Sequence, residues 1–141
     1  MMNGLDSAAA RNEGILLLAG RIGICILFIW AGVGKLMDLP GAVGYVASLG
    51  GPNSTVLVVI AAIVEMVGGV AILVGFQTRL AAVMLFVYTI VVTLIGHHFW
   101  TETDPMTHLN QVTQFCKNLV ILGGFLFVFV HGPGSLSIDR R

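Results

Sequence analysis

VVIAAIVEMVGGVAILVGF, residues 58–76, carries one ionisable side chain, Glu65, near its middle. On a helix of a soluble domain a glutamate has polar neighbours three and four residues away, because these share its face. Here those neighbours are Ala61, Ala62, Gly68 and Gly69, so the helix has no polar face to turn to water. A run this apolar reads as a helix crossing a hydrocarbon core of ~30 Å. An unpaired charge near the centre of a bilayer costs at least ~2.5 kcal/mol on insertion scales, so Glu65 is expected to turn inward and pair.

The rest of the chain fits that solvent. Of 141 residues, 57% are hydrophobic and 10% charged, against roughly 25% charged in soluble domains; the mean hydropathy is +0.96. Seven basic and seven acidic residues balance, which offers no basic surface to nucleic acid. The lipid bilayer is the partner that composition names. One domain, 1–141, is expected.

Beside 55–76, the runs 15–34 and 80–97 can span, the first interrupted only by Arg21. A fourth span, 112–131, has a shorter apolar core, 119–130, and takes in Lys117 and Asn118; it is accepted because lysine can snorkel to the nearer interface. Pro40 opens a short interfacial helix at 41–49, which Gly50, Gly51 and Pro52 end. The first span is too long for a signal-peptide core and has no small-residue cleavage site, so it reads as uncleaved. The fold class is all-α, an integral membrane four-helix bundle. Arg11, Arg79, Arg140 and Arg141 fall on one side and Lys35 on the other, which puts both termini in the cytoplasm.

With ~1.5 Å of rise per residue, Glu65 lies ~15 Å below the outer face, between Arg21, ~9 Å from the inner face, and Lys117, ~8 Å from the outer one. An intramembrane ion-pair network of Arg21, Glu65 and Lys117 is therefore expected. Helical spacing gathers Arg21, Cys25, Phe28, Gly32 and Lys35 on one face of the first span and Glu65, Gly68, Gly69 and Ile72 on one face of the second. Thr89, Thr93, His97 and Trp100 line up on the third, and Lys117, Ile121, Gly124 and Val128 on the fourth. These faces can meet around one axis.

Two readings of the charged set stay open. An ion pair can simply fix helix register, or it can mark a proton, anion or ligand site. In GHHFW, residues 96–100, Trp100 suits the aromatic belt, and two adjacent histidines cannot make an i, i+4 metal pair, so no metal is expected. Cys25 and Cys116 lie at different depths and read as packing residues rather than a disulfide. The glycine pairs 68–69 and 123–124 read as helix-packing surfaces.

An arginine early in the first helix followed by FIWAGVGKL, then EMVGGVAILVGFQTRLAAV, GHHFW, FCKNLVILGG and the terminal GPGSLSIDRR, resembles the bacterial DoxX family of small four-helix inner-membrane proteins. The resemblance runs from about residue 16 to the end, and the order of the motifs is more specific than any one of them. It implies a bacterial inner (cytoplasmic) membrane, multi-pass location. Some members are described as membrane subunits of thiosulfate:quinone oxidoreductase, others as anchors joining a thiol-handling enzyme and a superoxide dismutase. It directs attention to Arg21, Lys35, Glu65, Arg79, His97, Trp100, Lys117 and Asn118.

The function expected on these grounds is an accessory or anchoring subunit for a redox or oxidative-stress partner, a membrane or peripheral protein, with a quinone or lipid among the helices. No cofactor is built in, and a quinone is the cofactor implied. Alternatives are a quinone-linked oxidoreductase subunit, in which Lys35, His97, Lys117 and Asn118 bind an anionic substrate or a quinone carbonyl with His97 as proton donor, or a small transporter or proton pathway using Glu65. The outward polar site as a whole is expected to comprise Lys35, His97, His98, Trp100 and Asn118. The transporter reading also implies a homo-oligomer, because four short helices leave little room for alternating access. Independent thiol catalysis is not expected from a chain with no cysteine pair near the outer face.

Overall fold

A computed structural model of the protein describes residues 3–139. Among these residues there are six α-helices and one short 3-10 turn: α1 (Gly4–Arg11), α2 (Glu13–Met37), α3 (Leu39–Ser48), α4 (Thr55–Val74), α5 (Thr78–Gly96), the turn Phe99–Thr101, and α6 (Pro105–His131). Among the described residues four stretches are long and apolar enough to cross a membrane, Glu13–Met37, Thr55–Val74, Thr78–Thr101 and Pro105–His131. These correspond to the four expected spans, with wider limits for the first, third and fourth and an earlier end, at Val74, for the second. Arg140 and Arg141, two of the arginines used to orient the chain, lie outside the described residues.

The fourth span departs most from expectation. It begins at Pro105 rather than near 112, because the Asp104 side chain accepts the Thr107 N–H at 2.8 Å and caps a helix that Pro105 is pre-shaped to start. That same hydrogen bond holds the Asp104 carboxyl below its ordinary range. Pro40 likewise sits in the first turn of α3, behind an Asp38 cap on the Gly41 N–H.

Glycines set how closely the spans approach. A Cβ on Gly32 of α2 would lie 2.8 Å from the Ala62 carbonyl of α4, and one on Gly69 would lie 3.3 Å from the Cys25 carbonyl. Gly68, one step round α4, faces Leu85 of α5 instead, at 2.7 Å. The pair 68–69 therefore serves two neighbours at once, as small residues at membrane helix interfaces do. In the pair 123–124 only Gly124 packs, against Ile24, and Gly123 faces open space.

The resulting core of Cys25, Phe28, Ile72, Ala81, Ala82, Leu85, Phe125 and Val128 fills the half of the bundle near Arg21. Phe28 and Phe125 join α2 to α6 with ring centroids 5.4 Å apart. The half near Lys35 is built differently. Gly32 lies level with Ala62 and Glu65, so α2 ends ~8 Å beyond that level at Met37 while α4 rises ~15 Å to Thr55. In the space above the end of α2, α3 folds back across α4.

Candidate functional site

Glu65 is 5% exposed and pairs with Lys35. Lys35 Nζ donates to both carboxylate oxygens, at 2.9 Å and 2.8 Å, and the Tyr88 hydroxyl donates to Oε1 at 2.6 Å. Three helices thus converge on one carboxylate. The pair follows from the close approach at Gly32: one turn further along α2, the Lys35 side chain reaches down to the carboxylate. Each extra residue of α2 also carries the ammonium nearer the headgroups, and the Lys35 side chain is 25% exposed.

The expected network of Arg21, Glu65 and Lys117 does not form. Arg21 is buried, but its guanidinium donates to the carbonyls of Ile72 and Leu73 at the end of α4, each at 3.3 Å, and to the carbonyl of Leu136. The last carbonyls of a helix have no partner within it and carry the negative end of its dipole, which suits a cation. Arg79 does the same at the end of α6, donating to Phe129 at 2.9 Å and Val130 at 3.3 Å. Lys117 is exposed on the outer side of α6 and has no ion pair or hydrogen bond among the described residues.

The inward stripe of α6 includes Asn118, Ile121, Phe125 and Val128, and Lys117 lies one residue, ~100°, round the helix from Asn118. Asn118 donates to Thr93 Oγ1 at 2.8 Å across the α5–α6 seam, while that hydroxyl donates to the Thr89 carbonyl at 2.6 Å. The faces expected on α2 and α4 are the buried ones: Arg21, Cys25, Phe28 and Gly32, then Glu65, Gly68, Gly69 and Ile72.

Above the Lys35–Glu65 pair opens a cavity of about 530 Å³ between α3, α4 and α5. Its walls are mostly aliphatic, with Val46, Leu49, Ala61, Val64, Val92 and Ile95 among them, and Tyr45 of α3 contributes an aromatic ring. Lys35, Glu65 and Tyr88 form a polar end, and His97 also lines the space. His97 Nδ1 lies 2.9 Å from Gln111 Oε1, which fixes the ring against α6.

The expected outward polar site is therefore divided. Lys35 and His97 share the cavity, whereas Asn118 belongs to the α5–α6 seam. His98 donates to the Ile95 carbonyl at 3.1 Å, and Trp100, 57% exposed, stacks edge-on with Phe99 and near Phe115 as an interfacial aromatic cluster. Cys25 is buried and Cys116 exposed, and both are free thiols. Among the described residues no group of His, Cys, Asp and Glu could hold a metal ion.

Sequence reasoning missed Tyr88. The available signal was that a tyrosine inside a span needs a partner for its hydroxyl, and Glu65 is the one carboxylate inside the expected spans 15–34, 55–76, 80–97 and 112–131. It missed the C-terminal segment too. Beyond α6, residues 132–139 fold back over the Arg21 end: the N–H groups of Ile138 and Asp139 donate to Val74 and Gly75, at 3.0 and 2.9 Å, and Asp139 Oδ2 accepts the Thr78 N–H at 3.3 Å, at the start of α5. Gly75, at φ +71°, lies so close to Arg21 and Ser137 that a Cβ there would collide with both.

The DoxX family profile matches residues 16–98, which includes Lys35, Glu65, Tyr88 and His97. The chain belongs to the DoxX family. It is 40% identical to the Escherichia coli inner membrane protein YphA over 136 residues, covering 96% of this chain and 95% of that protein. It is 38% identical to a second Escherichia coli protein, inner membrane protein YqjF, over 128 residues, 91% of this chain and 92% of the relative. A more distant likeness, 25% identity over all 141 residues, is to the ER-derived vesicles protein ERV29 of Saccharomyces cerevisiae, of which it covers 38%. No solved structure matches. With four apolar spans and these relatives, this DoxX protein is a multi-pass inner-membrane protein.

Proposed function

We propose that this DoxX protein is an accessory or anchoring subunit of the inner membrane that holds an amphipathic molecule, a quinone or lipid, for a redox partner. One observation carries the reading: a cavity of about 530 Å³ with aliphatic walls ends on Lys35, Glu65 and Tyr88. That size lies within the roughly 300–1,000 Å³ typical of small-molecule pockets, and apolar walls with a few convergent polar groups are their usual lining. The redox partner comes from the family resemblance. Arg11 and Arg79 lie at the Arg21 end, so by the positive-inside rule that end is cytoplasmic and the cavity lies in the outer half of the membrane.

The test is gentle native purification, followed by mass spectrometry of the lipids, quinones and proteins that accompany wild type and Ala61→Phe, whose new ring fills the cavity. A quinone or a selected lipid that is retained by wild type and lost from Ala61→Phe supports the reading. Identical lipid and quinone content in both proteins removes it. His97, on the same cavity as Lys35, favours a second reading, a quinone-linked oxidoreductase subunit in which the imidazole supplies a proton to a reduced head group. Quinone reduction by purified protein, abolished in His97→Phe, would select it.

A further inference from the structure

The charges around the cavity restrict what its occupant can be. We infer that the cavity accepts an uncharged head group bearing a hydrogen-bond acceptor, such as a ketone, quinone or ester carbonyl, on the remaining N–H of Lys35, and discriminates against anionic heads. The inference rests on the reading of this cavity as an amphiphile site and narrows its ligand class.

Among the described residues, Lys35 is the only lysine or arginine lining the cavity. Its ammonium has three N–H donors, and Glu65 takes two of them through both carboxylate oxygens at 2.9 and 2.8 Å. The other cations of the spans are engaged or turned away. Arg21 and Arg79 cap the ends of α4 and α6, and Lys117 faces outward from α6.

An anion placed about 3 Å from Nζ would also lie within about 6 Å of the carboxylate, which cancels roughly half of the attraction. What remains has to repay the desolvation of a charged head inside aliphatic walls, which is costly for a carboxylate or phosphate and small for a carbonyl. A carbonyl needs one donor, and Lys35 has one left. Tyr88 gives its hydrogen to Glu65 and keeps a lone pair for a hydroxyl donor on the same head group. The pair therefore offers the complement of a neutral, hydrogen-bonding head.

Glu65 is what makes the site neutral, so removing its charge should reverse the preference. Glu65→Gln keeps the shape and an acceptor for Tyr88 but leaves the Lys35 charge without a counter-ion. The experiment is calorimetric titration of dodecanone and of dodecanoate into protein-loaded nanodiscs, with Ala61→Phe nanodiscs setting the background partition into lipid. Wild type should bind dodecanone at least about tenfold more tightly than dodecanoate, and Glu65→Gln should favour dodecanoate. Equal affinities in wild type, or a preference for dodecanoate, overturn the inference while leaving the cavity as a ligand site. Heats equal to the Ala61→Phe background for both probes overturn the cavity as an amphiphile site and this inference with it. The wild-type comparison decides even if Glu65→Gln does not assemble.

Discussion

Lys35 reaches Glu65 where Arg21 does not because of where α2 and α4 touch. Gly32 meets Ala62 and Glu65, which leaves Lys35 one turn away and Arg21 about 16 Å down the helix. Breaking a buried pair by removing one member costs about 3–5 kcal/mol. Because the Lys35 side chain keeps 25% exposure, Glu65→Leu should sit at the lower end, about 3 kcal/mol. Its SDS-unfolding midpoint should fall accordingly. Lys35→Met with Glu65→Leu should recover most of the loss, since an apolar pair leaves no charge stranded. A double variant as unstable as Glu65→Leu would show that the cost lies in packing rather than charge. Lys117 gives the opposite expectation. It faces outward within a span, so Lys117→Leu should leave unfolding unchanged or improve insertion, by up to about 2.5 kcal/mol if the lysine sits deep. A loss of stability in that variant would reveal a partner for the ammonium.

At the scale of the helices, the α2–α4 seam depends on a few glycines. A methyl group at Gly32 would press on the Ala62 carbonyl and the Met66 side chain, so Gly32→Ala should push the helices apart and cost about 1–3 kcal/mol. Gly23, on the same helix, has nothing within 4 Å, so Gly23→Ala should instead gain up to about 1 kcal/mol from helix propensity. Unfolding midpoints of the two variants, moving in opposite directions, check the seam. The shift at Gly32→Ala should also appear in the cavity, because separating α2 from α4 lengthens the Lys35–Glu65 contact. Loss of bound amphiphile from Gly32→Ala, with Gly23→Ala unaffected, would couple the seam to the site.

For the molecule as a whole, the two ends of the bundle are stabilised in different ways. The Arg21 end is closed by the aliphatic and aromatic core and by residues 132–139, which supply partners to Arg21, Val74, Gly75 and the first N–H of α5. Removing residues 135–141 takes away those partners and should cost about 5 kcal/mol, at ~1 kcal/mol for each of the two neutral hydrogen bonds and about 1.5 kcal/mol for each of the two that involve a charged group. The loss should appear as rapid hydrogen exchange at the ends of α4 and α5, with the Lys35 end protected as before. Uniform exchange along all four spans would mean that the segment holds the entire bundle rather than one end. The Lys35 end, by contrast, is held by the Lys35–Glu65–Tyr88 contacts, by His97 against Gln111 and by a short helix, and it is there that the cavity opens.

Composition and periodicity alone determined that the chain is a bundle of four membrane helices, because a hydrocarbon solvent admits few other ways to satisfy the backbone. They also determined the inward faces of α2 and α4, since every buried residue on those faces recurs at steps of three and four. The partner of Glu65 was beyond their reach. A depth read from the end of each span treats all four ends as level, whereas the stagger that places Gly32 beside Glu65 is set by glycine contacts between helices far apart in the chain. The rotation of α6, which turns Asn118 in and Lys117 out, was decided in the same way by packing against α5. Sequence named the charges and put them in the membrane, and tertiary structure paired them, because pairing depends on relative heights and rotations that no single helix encodes.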